Sequence, residues 1–109
     1  MPRGEHLGEF EYLVMLALLR LKDDSYGMQV RREIQSRTER SVSIGSVYAT
    51  LDRLEKKGYA RSKAALDKGG RARKCFLLTA DGAQAMRDRM AATERMTEGL
   101  SLAQELDAI

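Results

Sequence analysis

The sequence predicts a mainly α domain that carries one small β-hairpin. Three observations lead there. Apolar residues recur at three- and four-residue steps in four separate stretches, the period of helices with a buried face. A Gly69-Gly70 pair separates two extended runs, the pattern of a hairpin turn. The chain has 109 residues, 43% of them hydrophobic and 32% charged, which suits one ordinary globular domain.

The first helix is read from about Gly8 to Lys22. Phe10, Leu13, Val14, Ala17, Leu18 and Leu21 form one apolar stripe, and Tyr12, Met15, Leu16 and Leu19 form a second beside it. A helix apolar nearly all round needs cover on both sides. In so small a domain one side meets the core, and a second subunit is the expected cover for the other.

The second helix follows "KDDSYG". Asp23, Asp24 and Ser25 are candidate N-caps, because a short oxygen-bearing side chain accepts from the orphan backbone N–H groups of a first turn. Tyr26, Val30 and Ile34 fall four apart and make a narrow buried stripe, leaving Arg31, Arg32 and Arg37 on a partly basic back.

The third helix starts near Ser43 and stops at Gly58, a residue suited to a left-handed C-terminal cap. Ile44, Val47, Leu51 and Leu54 anchor it. Its other side opens with short residues, Ser46, Ala49 and Thr50, and turns basic at Arg53, Lys56 and Lys57. Such a face occurs on ordinary solvated helices, and it is also what close approach to another surface requires.

Ala60, Ser62, Ala64 and Leu66 alternate with Arg61, Lys63 and Ala65, so the next run reads as a strand. "KCFLL" returns after the Gly-Gly turn. Thr79 caps a last helix, with Asp81 in its first turn where negative charge favours the helix dipole. That helix extends from about Ala80 towards Leu106, with Gly99 a point where it bends or ends. Ala83, Met86, Met90, Thr93, Met96, Leu100 and Ala103 lie along one side. Two readings fit this stripe: a helix folded back on its own domain, or a dimerisation arm. The two-faced first helix favours the arm.

Catalytic chemistry has little to stand on. His6 is a lone histidine near the N-terminus and reads as solvated; Cys75 is a lone cysteine, so neither an internal disulfide nor a metal cluster of the two is expected. Cys75 reads as a structural thiol, with redox sensing the alternative. The Gly-Gly turn lacks the Gly and Lys spacing of a phosphate-cradling loop. No enzyme, cofactor or metal is expected. The longest apolar run, Tyr12 to Leu19, is far short of the roughly 20 residues that span a bilayer. No secretory signal is read at the N-terminus, and a cytoplasmic location is expected.

Charge supplies the positive evidence. The chain carries a formal +3, but Arg61, Lys63, Lys68, Arg71, Arg73 and Lys74 face only Asp67 between residues 61 and 74, a local +5 on a mildly acidic remainder. A solubilising loop would look like this, and so would a site for an anionic partner. Three helices, a basic hairpin and a final helix give the element order of a winged helix-turn-helix domain. In that architecture the second helix of the pair enters the DNA major groove. Small side chains admit the backbone to base edges, hydroxyls bond bases or phosphates, and a basic wing attracts phosphate without choosing sequence.

These residues resemble the PadR family of transcriptional regulators in its short form with a single C-terminal helix. The resemblance spans nearly the whole chain: "EFEYLVMLALL", "SYGMQVRREI", "VSIGSVYATLDRLEKKGYA" and "GGRARKCFLLTADG". Its most specific pieces are Tyr26-Gly27, the Val47-Tyr48, Leu51, Leu54, Gly58 frame, and the Gly70-Arg71, Leu78-Thr79, Gly82 run. The resemblance implies a homodimeric repressor of a roughly palindromic DNA operator, relieved by a small molecule or another signal. It places Ser46, Tyr48, Ala49, Thr50 and Arg53 in the recognition helix and Lys63, Arg71, Arg73 and Lys74 in the wing. Residues 1–79 are then the DNA-binding unit and 80–109 the dimerisation helix. A dimer interface between first and last helices could host a small hydrophobic or aromatic effector, with Phe10, Tyr12, Met15, Met86, Met90 and Met96 as candidates; plain packing is the alternative for such a stripe. Many relatives carry an aromatic pair where this chain has Cys75-Phe76. Protein docking through the small-residue face, or sensing through Cys75, remain rival functions.

Overall fold

The computed structural model describes residues 7–109, so His6 lies outside the described residues. The chain forms α1 (Glu9–Leu21), a 3-10 turn (Lys22–Asp24), α2 (Gly27–Thr38), α3 (Ile44–Lys56), β1 (Ala60–Leu66), β2 (Ala72–Leu78), α4 (Ala80–Thr97) and α5 (Leu102–Asp107). This is a winged helix-turn-helix, as the element order predicts.

Why α1 packs as it does is visible in its buried residues: Glu11, Val14, Met15, Ala17 and Leu18. Steps of three and four put Glu11, Val14, Met15 and Leu18 on one face. The face is rotated from the expected one, so Met15 is fully buried in the core with Val14, Leu18, Val30, Ile34, Val47, Leu51 and Leu54. Met15 is therefore a core residue of its own domain rather than part of a face offered to a second subunit, a correction to the sequence reading. Leu19, half exposed, remains on the outer side.

The expected caps of α2 are also corrected. Its N-cap is Tyr26, and no side chain caps it. Ser25 is instead buried, its hydroxyl bonding to the Phe76 carbonyl and lying 3.2 Å from Cys75 Sγ. Phe76 N–H donates back to the Ser25 carbonyl at 3.1 Å, and Tyr26 bridges Cys75. The chain just before α2 thus adds a short third edge to the hairpin.

β1 and β2 pair antiparallel in a continuous register from Ala60 opposite Leu78 to Leu66 opposite Ala72. Ala60, Cys75 and Phe76 enter the core, while Leu66 is exposed because the far end of the hairpin overhangs solvent. The corner between α3 and the strands is tight. Gly58 takes φ +81°, the left-handed value a C-terminal cap requires. Thr79 N–H donates to the Tyr59 carbonyl at 3.1 Å, its hydroxyl donates to the Gly58 carbonyl at 2.6 Å, and it caps Gly82 N–H at 3.0 Å. Gly82 sits directly against the Tyr59 carbonyl oxygen, leaving no space for a Cβ.

α4 docks through Gly82 and Met86, then leaves the body. Arg89 lies over the Tyr12 ring at 4.3 Å. Beyond it Met90, Met96, Leu100, Leu102 and Leu106 are exposed. α4 ends at Thr97, Gly99 follows at φ +82°, and the short α5 begins at Leu102, so the single long helix is two.

One ionic tie fixes α3 to α1. Glu11 Oε1 accepts from Gly8 N–H at 2.9 Å, and its Oε2 lies 2.9 Å from Lys57 Nζ and 3.5 Å from Arg53 Nε. Burial pushes the Glu11 carboxyl up, but the Gly8 N–H, the Lys57 bond and the two cations together outweigh it and hold the group below its ordinary value.

Two outcomes are expected. Gly82→Ala must displace the Tyr59 carbonyl and should cost about 1–3 kcal/mol, read as a lower denaturant midpoint. Because Glu11 has a lowered folded value, its stabilisation is complete above its unfolded value of about 4.3 and disappears as pH falls through the lower folded value. Thermal melts from neutral to acid pH should show wild type converging on Glu11→Gln; a constant gap across that range would contradict the tie.

Candidate nucleic-acid interface

The outer surface of α3 is built from its first turn. Ser43 caps the helix, accepting from Ser46 N–H at 3.0 Å, and its hydroxyl lies 2.8 Å from the Ser46 hydroxyl. Val47, Leu51 and Leu54 are fully buried on one side, so Gly45, Ser46, Tyr48, Ala49, Asp52 and Arg53 are exposed on the other. Gly45, Ser46 and Ala49 make the first two turns low, the shape needed for close backbone approach. Tyr48 stands beside them with its ring pressed onto Gly27, the first residue of α2, where a Cβ would collide with the ring. That contact orients an aromatic side chain that is otherwise half in solvent.

Thr50 departs from expectation. It is 2% exposed, because about 100° per residue places position 50 beside Leu54 and Val47 at the edge of the buried side rather than beside Ala49. Its Oγ1 accepts from Arg53 Nη2 at 3.2 Å. The basic end of the helix is corrected too. Lys57 is spent on Glu11, and Lys56 pairs with Asp52 at 3.3 Å on the surface, an exposed pair of small worth. Arg53 is half exposed and continues the outer face.

The wing owes its shape to Asp67, the one acid among its cations. Asp67 Oδ1 accepts from the N–H groups of Gly69 (2.9 Å) and Arg71 (3.0 Å), and Oδ2 pairs with Arg73 Nε at 3.0 Å. These donors, the Arg71 N–H foremost, hold the Asp67 carboxyl below its usual range against some opposing burial. The Tyr26 hydroxyl donates to the Leu66 carbonyl at 3.1 Å, bracing the far end of β1 on α2. An Asp two residues before a turn glycine is an Asx-turn signal, and it was legible in "DKGG".

The four predicted wing cations are brought into one hairpin but not onto one face. Cross-strand partners share a face, so Lys63 and Arg73 lie on the Cys75 side and Lys74 on the Phe76 side. Lys74 lies 5.7 Å from the Phe76 ring and 3.8 Å from Glu55, which also accepts from the Ser62 hydroxyl at 2.6 Å. Arg71 sits at the tip. Lys63 and Arg71 make no ion pair with any described residue and are exposed.

The effector candidates are dispersed. Met15 and Met86 are buried, Tyr12 lies under Arg89, and Met90 and Met96 are 49% and 80% exposed. Phe10 borders an open hollow of about 260 Å³ with Arg40, Ser41, Val42, Ser43 and Ser46, which none of the other five reaches. Another hollow, about 380 Å³, lies between the start of α2 and the wing tip and is lined by charged residues including Asp24, Arg32, Asp67 and Arg73. Cys75 is closed off from solvent beside Ser25, where an aromatic ring would have no space without moving that edge. Among the described residues no cluster of His, Cys, Asp and Glu could hold a metal ion, and no helix is long and apolar enough to cross a membrane.

Comparison with known proteins agrees with this fold. A PadR family transcription regulator from Clostridium difficile is 25% identical, with 91% of this chain and 99% of that one covered at a TM-score of 0.74. RosR from H. salinarum is 23% identical over 94% of this chain and 96% of its own, with a TM-score of 0.69. A winged-helix DNA-binding protein from STIV shares the fold at 18% identity, 88% and 99% coverage, and a TM-score of 0.68. No curated protein matches by sequence. Members of the PadR family are transcription regulators, not enzymes. Residues 15–88 match the model of the transcriptional regulator PadR-like family, which covers α2, α3, the wing and most of α1, and the chain belongs to that family.

Proposed function

We propose that the chain is a homodimeric, sequence-specific repressor, acting in the cytoplasm on a palindromic double-stranded DNA operator and relieved by a small hydrophobic or aromatic effector or by another signal. The observation that carries this reading is the low, exposed start of α3 beside a hairpin with free cations. Ser46, Ala49, Tyr48 and Arg53 read bases or their flanking phosphates. Lys63 and Arg71 supply phosphate attraction directly, while Arg73 and Lys74 must first exchange an internal carboxylate for phosphate.

Residues 1–79 form the DNA-binding unit. Residues 80–109 form the dimerisation segment, and the support for that is the uncovered apolar side of α4 and α5 running from Met90 through Leu106. The exposed apolar residues of these two helices are covered best by the same segment of a second copy. Two-fold symmetry of the protein then imposes two-fold symmetry on the operator. Phe10, Tyr12, Met90 and Met96 lie apart in one copy, so an effector site built from them requires the second copy to bring them together.

Purified protein should shift DNA from upstream of its own gene, with log affinity falling linearly against log salt. Arg71→Ala should weaken binding to every duplex and reduce that slope by about 1, whereas Ser46→Ala should change which duplexes are preferred. Unchanged affinity of Arg71→Ala at moderate salt would remove the wing from the interface. Met90→Asp with Met96→Asp should convert a dimer to a monomer in sedimentation velocity; a variant that still sediments as the wild type places the interface elsewhere.

A further inference from the structure

Arg53 is half exposed, yet its guanidinium is held at two points by groups that are themselves immobile. Nη2 donates to Thr50 Oγ1 at 3.2 Å, and Thr50 is buried one turn earlier on the same helix. Nε lies 3.5 Å from Glu11 Oε2. Glu11 cannot follow a moving arginine, because Oε1 accepts from Gly8 N–H and Oε2 binds Lys57 Nζ, both at 2.9 Å. The Nη1 donors have no partner among the described residues. An arginine on a flexible stem normally loses much rotamer freedom when it binds; one already fixed by its neighbours loses less and presents its fork in a set direction.

We propose that Thr50 and Glu11 are positioning residues that present Arg53 to DNA, so that operator discrimination depends on a buried hydroxyl and a buried carboxylate that touch no nucleotide. The inference rests on the reading of α3 as a DNA-recognition helix and deepens it. Thr50 suits the role because a hydroxyl one turn before an arginine reaches its fork. Glu11 belongs to a different helix, so α1 sets the geometry of α3 as well as its stability. A purely structural role for either residue would change how much protein is folded, not how folded protein ranks two DNAs.

The test uses the full chain, a duplex from upstream of its own gene and a scrambled duplex of equal length, and the ratio of the two dissociation constants as readout. Thr50→Val keeps shape and charge and loses the hydroxyl; it should lower the ratio about three- to tenfold, the scale of one typical net hydrogen bond, with the salt slope unchanged. Thr50→Ser, which keeps the hydroxyl, should restore the ratio. Glu11→Gln should lower it as well, and thermal melts identify how much of each variant is folded. In an Arg53→Ala background neither Thr50→Val nor Glu11→Gln should lower the ratio further.

A Thr50→Val ratio within twofold of wild type overturns the inference, as does an equal loss in the presence and absence of Arg53. If Arg53→Ala itself leaves the ratio unchanged while wild type still binds with salt sensitivity, the positioning role falls and the DNA-binding reading stands. Wild-type protein with no salt-sensitive binding to either duplex overturns both.

Discussion

The burial of Val47, Leu51 and Leu54 against α1 and α2 is the constraint from which the rest of the molecule follows. Those three side chains are fully buried, and truncating either leucine would cost about 2–5 kcal/mol through lost transfer energy and the cavity left behind. Their stripe fixes the rotation of α3 about its axis, and rotation decides which residues water sees. Ser46, Ala49 and Arg53 are outside because Val47, Leu51 and Leu54 are inside. Thr50 is inside for the same reason, and its hydroxyl is satisfied by Arg53 rather than wasted.

Some of the cations on α3 and the wing are held by internal carboxylates. Glu11 holds Lys57 and Arg53, Asp67 holds Arg73, and Glu55 reaches Lys74. Each acid also makes at least one further hydrogen bond to backbone, lysine or hydroxyl, so it is a fixture rather than a mobile counter-ion. Positive charge is thereby presented in defined places. Arg61, Lys63, Lys68 and Arg71 are exposed and pair with no described acid, whereas Arg53, Lys57, Arg73 and Lys74 each have a carboxylate partner. A net count of +3 does not reveal that division between paired and unpaired cations.

Connections between elements are equally economical. Ser25, Tyr26 and Gly27 are three consecutive residues with three different tasks: a hydroxyl tying the hairpin, a phenol bracing the wing tip, and a bare backbone against which Tyr48 rests. Gly82 has the corresponding role at the other corner, letting α4 start against the Tyr59 carbonyl. These close approaches explain why the Tyr26-Gly27 and Thr79-to-Gly82 stretches stand out in the sequence before any contact is known.

Local pattern determined much of this protein. Helical spacing placed the helices, the Gly-Gly pair placed the hairpin, Gly58 and Gly99 marked helix ends, element order with a basic hairpin gave the fold, and the resemblance of short motifs gave the family. Each of those signals is carried by residues close in the chain, which is why sequence sufficed. Tertiary structure alone decided the rest. Residues 49 and 50 lie on opposite sides of a burial boundary that only packing against α1 and α2 draws, so Ala49 is outside and Thr50 is not. Met15 turned inward because the buried face of α1 runs through the charged Glu11, whose cost is met by Lys57, 46 positions away. Ser25 left the role of helix cap for a strand 51 positions distant. Partners separated by that much chain leave no periodicity to read; burial and ion pairing choose them only when the chain has folded.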